Sequence, residues 1–140
     1  MIQIKAASPG ESYVRLMPIS SSTLLQRDSS GSVTLAEATQ FSASGIVSRA
    51  VLSSDALRVT LFGFAAGQEL TEHTSSSRAL IQILSGSSTW TIAGREQVAG
   101  AGELLHLPPH TPHAVRAEEP FSMLLTLIRE PAPRPLANLA

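Results

Sequence analysis

Cysteine is absent from this chain of 140 residues. That removes a thiol nucleophile and a thiolate metal centre from consideration. Charge is scarce as well: 15% of the residues are charged and the formal net charge is -1. Arg49, Arg58, Arg78, Arg95, Arg116, Arg129 and Arg134 are scattered singly. A surface that tracks phosphates needs clustered cations to release counterions, so no nucleic-acid partner is expected. No apolar run approaches the ~20 residues of a membrane-spanning helix, so no membrane partner is expected either. A charged N-terminal region leading into an apolar stretch is missing too, and a cytoplasmic location is the expectation. No G-x-S-x-G elbow is present, and no helical pattern is long enough for a βαβ crossover.

Hydrophobic residues, by contrast, make up 43% of the chain, the composition of a globular domain able to bury one core. Residues 1–45 read as an N-terminal leader, in which Ile2, Ile4 and Tyr13-Val14-Arg15-Leu16 suggest short edge strands. Ser20-Ser21-Ser22 and Asp28-Ser29-Ser30-Gly31 read as loops. Thr34 and Glu37 have the spacing of a capping box, which predicts a brief helix over Leu35–Gln40.

From residue 46 to 130 the chain reads as a barrel of strands. Strands are expected at Ile46–Leu52, Leu57–Phe64, Leu80–Leu84, Thr89–Ile92, Leu104–Leu107, Ala114–Arg116 and Phe121–Ile128. Residues 87–101 suit a strand, a tight turn at Ala93-Gly94 and a strand back. Short strands punctuated by Gly, Pro and Ser at even spacing indicate an all-β sandwich or barrel. Phe121–Ile128 is apolar on both parities, where a strand with one wet face would alternate. It is expected to be covered on both sides, by the barrel interior and by another sheet or a second subunit, which makes a homodimer the expected assembly. Residues 131–140 form a proline-rich tail that cannot donate to a ladder at its prolines.

Histidine carries the chemistry. There are four: His73, His106, His110 and His113. Imidazole is the commonest neutral metal ligand and titrates near neutral pH. Gly67, His73, Ser75, Ala79 and Gly86 fall at the spacing of the first cupin motif, and Gly102, Pro108, His110, His113 and Ala117 at that of the second. The chain therefore resembles the cupin superfamily over residues 57–128, and within it a group of small single-domain barrels of mostly unassigned role. The resemblance implies an all-β double-stranded β-helix, the cupin jelly-roll barrel, with a short helical turn before it.

It also implies a metal site, and here the chain departs from the pattern. His73 and His113 stand at ligand positions, but Ser75 replaces the second histidine and Ala79 the glutamate. Two neutral imidazoles bring no negative charge, and a catalytic zinc or iron normally takes three protein ligands. The expected cofactor is thus a weakly held divalent ion (Zn, Fe, Mn or Ni) on His73 and His113, or none. Gln82, polar in the middle of an apolar strand, is a candidate third group, although simple alternation puts it opposite Ala79. Ser75 and His110 are further pocket candidates. His110 occupies the glycine place of its motif and is equally accounted for by a turn with positive φ. His106 reads as a packed or surface residue. Trp90 and Phe62 read as core.

Two functions follow. One is a small-molecule barrel whose histidine pocket binds a divalent ion, with the substrate unassigned. The other is a metal-free binding or sensing barrel. No residue is assigned a catalytic role, and whether the chain is an enzyme stays open at this point.

Overall fold

The computed structural model describes residues 22–132 in full, together with the backbone of two short strands before them, β1 (Gln3–Lys5) and β2 (Tyr13–Arg15). These pair antiparallel with Ile4 opposite Val14. Ile2, Leu16, Ser20, Ser21 and residues 133–140 lie outside the described residues. After one helical turn, α1 (Leu35–Ala38), the strands run β3 (Ile46–Ser53), β4 (Leu57–Phe64), β5 (Glu69–His73), β6 (Arg78–Ser85), β7 (Ser87–Ile92), β8 (Arg95–Gly100), β9 (Leu104–Leu107), β10 (His113–Arg116) and β11 (Phe121–Ile128). No helix among the described residues is long and apolar enough to cross a membrane.

Two sheets face each other. A larger sheet has the order β3-β4-β11-β6-β9 and a smaller one β5-β10-β7-β8, every pairing antiparallel. Period-two alternation decides what each face carries. Across the larger sheet the inward rows are Phe64–Phe121, Phe62–Met123–Ile83, Thr60–Leu125–Ile81–Leu105 and Arg58–Leu127–Ala79–Leu107. Across the smaller sheet they are Leu70–Val115–Trp90–Gln97 and His73–His113–Ile92–Arg95.

Burial grades along these rows. Phe64, Phe121 and Ile83 are fully buried, and the two phenyl rings stack with centroids 4.4 Å apart. Leu125, Leu127 and Ile92 are only partly buried, and Arg58 is exposed. One end of the barrel is therefore packed shut, and the other, ringed by His73, His113, Ile92, Leu127 and Arg58, opens to water. Trp90 fills the middle at 1% exposure, its indole N–H donating to Ser88 Oγ at 2.8 Å, and Phe62 is buried in the same cluster. Both are core, as expected.

The doubly apolar β11 has its outer cover within its own chain. Leu24, Leu25, Val33 and Ala38 pack with Val51, Val59, Leu61, Leu84 and Leu124 on the outer face of the larger sheet. Leu24 and Leu25 donate backbone N–H groups to Ala50 and Val51 of β3. No second subunit is needed to explain that strand.

The helix departs from expectation. It ends at Ala38 rather than Gln40, and Thr34 makes no side-chain cap, so the capping box does not form. The reason lies one layer down. The backbone of Gln40 must lie flat on β4 at Gly63, where an added Cβ would sit 2.1 Å from the Gln40 carbonyl oxygen. The chain turns extended at Thr39 to make that approach.

Gly63→Ala is expected to cost about 3 kcal/mol, the upper end for forcing atoms into a packed interior. Gly67 also has a special conformation (φ +83) but nothing within 4 Å of an added Cβ. Gly67→Ala is expected to cost only about 1 kcal/mol, the lower end for an L residue in the left-handed region. Urea denaturation of both variants checks the ranking.

Candidate functional site

Three loops frame the open end. The segment after β5 and the segment before β10 are joined where His110 N–H donates to the Ser75 carbonyl at 2.7 Å. The β7–β8 turn joins them through Ala93 N–H to the Pro112 carbonyl at 2.9 Å. Ala93 and Gly94 both have positive φ, the geometry a two-residue hairpin turn demands.

His73 and His113 meet in this frame as direct cross-strand partners on β5 and β10. Simple alternation would not bring them together. Leu70 pairs with Val115 inside the barrel, so three steps along β5 match two along β10. Thr71 and Glu72 together oppose Ala114, which is a β-bulge, and the extra residue turns His73 back to the inward face. The two rings then lie with centroids 4.2 Å apart, tilted by 58°.

Both rings are held the same way. His73 Nδ1 lies 2.8 Å from the Thr71 carbonyl oxygen, and His113 Nδ1 lies 2.8 Å from that of Thr111. A carbonyl only accepts, so in each ring Nδ1 carries a proton, and whenever a ring holds just that one proton its Nε2 presents a bare lone pair. Burial pushes the His113 pKa below its ordinary value of 6.5. The Thr111 carbonyl opposes that shift, the neighbouring His73 adds to it, and Glu72 opposes it from the bulge. His113 is therefore a neutral acceptor at neutral pH.

The remaining candidates stand in different places. Gln82 is corrected: it is exposed on the outer face of β6, between Leu124 and Leu104, while Ala79 and Ile81 on the opposite parity face inward. No bulge falls between residues 79 and 82, so alternation holds there. Ser75 Oγ accepts the N–H of Ser77 at 3.1 Å and serves its own turn. His110 is exposed with φ +65, which bears out the positive-φ turn; its backbone closes the rim. His106 is a surface residue whose Nε2 accepts from Arg78 at 2.8 Å, and Arg78 also pairs with Glu130. Sequence reasoning missed the inward placement of Arg58 at the rim, which is legible only from its register with Leu127.

The donor set tests the implied metal. At the inward place on β6 where the pattern calls for glutamate stands the methyl group of Ala79, 4% exposed. Ser75 Oγ is already engaged, and no group of three or more His, Cys, Asp or Glu side chains converges among the described residues. Two neutral imidazoles do not complete the shell of a resident divalent ion.

The Cupin domain family model matches residues 60–128. The chain belongs to the cupin superfamily. Among solved structures, a conserved Streptococcus pyogenes protein of unknown function is 28% identical over 79% of this chain and 97% of that one, with a TM-score of 0.69. A cupin superfamily protein from Desulfitobacterium hafniense is 25% identical over 84% of this chain and all of its own, with a TM-score of 0.69. A cupin 2 conserved barrel domain protein from Leptotrichia buccalis is 34% identical over 67% of this chain and 46% of its own, with a TM-score of 0.64. No curated protein matches the chain in sequence. The double-stranded β-helix expected of a cupin is the fold observed, and it is a scaffold suited to holding a small molecule at its open end.

Because His113 binds its proton less readily folded than unfolded, the unfolded chain carries more protons as pH falls below 6.5, and stability falls with it. The contribution is fully present above 6.5 and is lost as pH drops through the depressed folded value. The His113 C2–H resonance is expected to titrate with a midpoint below 6.5, and His113→Ala to flatten the acid limb of the urea midpoint against pH.

Proposed function

We propose that this cupin is a small-molecule-binding barrel whose polar anchor is the His73–His113 pair, with a divalent ion held there only weakly. The observation that supports it is the pair itself: two rings 4.2 Å apart, each with Nδ1 tied to a carbonyl and Nε2 without a partner among the described residues. Around them the inward groups of the open end are Ile92, Leu125, Leu127, Leu107 and Ala79, an apolar wall with few polar points. Such a pocket binds through apolar contact and takes its orientation from the few polar groups.

The same pinned tautomers would suit metal ligands, since an Nδ1–H bonded to a carbonyl raises the donor strength of Nε2. What is short is the number of donors and their charge. Zinc on this chain is expected at micromolar affinity or weaker, about 8 kcal/mol or less. Sites with a full set of ligands in zinc-finger peptides reach ~10–16 kcal/mol.

Zinc titration with a competing indicator dye checks this. His73→Ala and His113→Ala each remove the weak binding. Ala79→Glu, which restores a carboxylate at the inward place on β6, tightens it by about an order of magnitude or more. Nanomolar zinc binding by the unaltered chain, or no gain from Ala79→Glu with the fold intact, contradicts the reading.

A further inference from the structure

One inward-facing group at the open end has no role in the site described so far. Arg58 starts the row Arg58–Leu127–Ala79–Leu107, paired across β11 with Leu127, which packs on the core. Residues directly opposite on paired strands share a face. Behind Arg58 on the same face of β4 stand Thr60, Phe62 and Phe64, progressively more buried. β4 runs through a short turn into β5, so the start of β4 and the end of β5 lie at the same end of the barrel. Arg58 and His73 therefore belong to one rim.

The Arg58 side chain also has no partner among the described residues. Arg27 lies near Asp28 and Asp55, Arg49 bonds the Ala38 carbonyl, Arg78 pairs with Glu130, and Arg116 with Glu118. The guanidinium of Arg58 makes no hydrogen bond or ion pair among the described residues, while its backbone pairs with β3 and β11. Arg95, in register with Ile92, is the other inward-register arginine at this end. However, Gln97, one row deeper on β8, is itself exposed, whereas Thr60, one row deeper than Arg58 on β4, is partly buried. Glu72, in the bulge, is the one carboxylate that acts on the His113 ring, and it is exposed on β5.

The polar chemistry of the rim is thus split. On one side are two lone pairs, His73 Nε2 and His113 Nε2, which accept. On the other is a guanidinium, five N–H donors that are always charged and match a carboxylate two-pronged. Between them is apolar wall. A ligand that satisfies all of this carries a carboxylate at one end, a hydrogen-bond donor at the other and an apolar body.

We propose that Arg58 is the anion-recognition residue of the pocket and that its ligands are small hydroxyl-bearing carboxylates. The assignment rests on the pocket reading above and adds the chemical class. The carboxylate sits on Arg58, and the hydroxyl donates its one proton to Nε2 of either His73 or His113.

The test uses the full chain and three probes followed by NMR titration: para-hydroxybenzoate, its uncharged analogue para-hydroxybenzamide, and benzoate, which lacks the hydroxyl. The unaltered chain binds para-hydroxybenzoate about tenfold or more tightly than either analogue, with shifts at the His73 and His113 rings. Arg58→Gln brings the carboxylate down to the level of the amide, leaves the amide unchanged and leaves the melting temperature unmoved. Arg58→Lys retains part of the preference, since an ammonium keeps the charge but loses the planar fork. If Arg58→Gln binds para-hydroxybenzoate as the unaltered chain does while both rings still shift, the anion assignment fails and the pocket reading stands. If none of the three probes moves the His73 or His113 resonances at their solubility limits, the assignment and the pocket reading fail together.

Discussion

Between Leu70 and His73, strand β5 carries one residue more than β10 carries between Val115 and His113, and the site depends on that excess. Leu70 is fixed in the core beside Val115 and Trp90. With regular pairing from that anchor, the next inward side chain on β5 would be Glu72, and His73 would lie on the opposite face from His113. The bulge takes up Thr71 and Glu72 against Ala114 and delivers His73 to the inward face, opposite His113. The carbonyl of Thr71, within the bulge, is the group that holds the ring proton on His73 Nδ1. One backbone irregularity thus sets both the position and the tautomer of the first imidazole. The second is set by the loop before β10, through Thr111.

The rest of the molecule keeps that end open and the other shut. Stacked Phe64 and Phe121 and the buried Ile83 close one end, Trp90 fills the middle, and smaller or aliphatic groups line the mouth. Leu24, Leu25, Val33 and Ala38 lie across the outer face of β3, β4 and β11, on the side of the larger sheet away from the mouth. With Ser75 and Ala79 standing in place of the pattern's donors, the mouth holds two imidazoles, a guanidinium with no partner among the described residues, and aliphatic walls. That is the chemistry of a binding pocket more than of a metal centre.

Much of the fold was legible in the sequence because alternation is a strong signal. Leu57–Phe64, Leu104–Leu107 and Phe121–Ile128 are strands with the expected bounds. Gln82 shows the same rule from the other side: its polar character in an apolar strand suggested the pocket, but parity with Ala79 excluded it, and parity decides. His110 was legible as a turn residue because few side chains tolerate positive φ. What could not be read was whatever depends on two distant segments meeting. The bulge in β5 shows no composition signal, since it is defined only against β10. The length of α1 is set by the approach of Gln40 to Gly63, and the capping-box spacing gave no hint of that contact. Arg58 looked like one scattered cation among several until its register with Leu127 placed it at the rim.

The central claim is that the bulge and the loop before β10 hold His73 and His113 as a matched pair, with both protons on Nδ1 and both Nε2 atoms free. Long-range proton–nitrogen correlation of the imidazole side chains at neutral pH reads this directly. Both rings are expected to show the pattern of the Nδ1–H tautomer, with a strong contact between the two rings. A predominant Nε2–H tautomer at either histidine, or no contact between them, would contradict it.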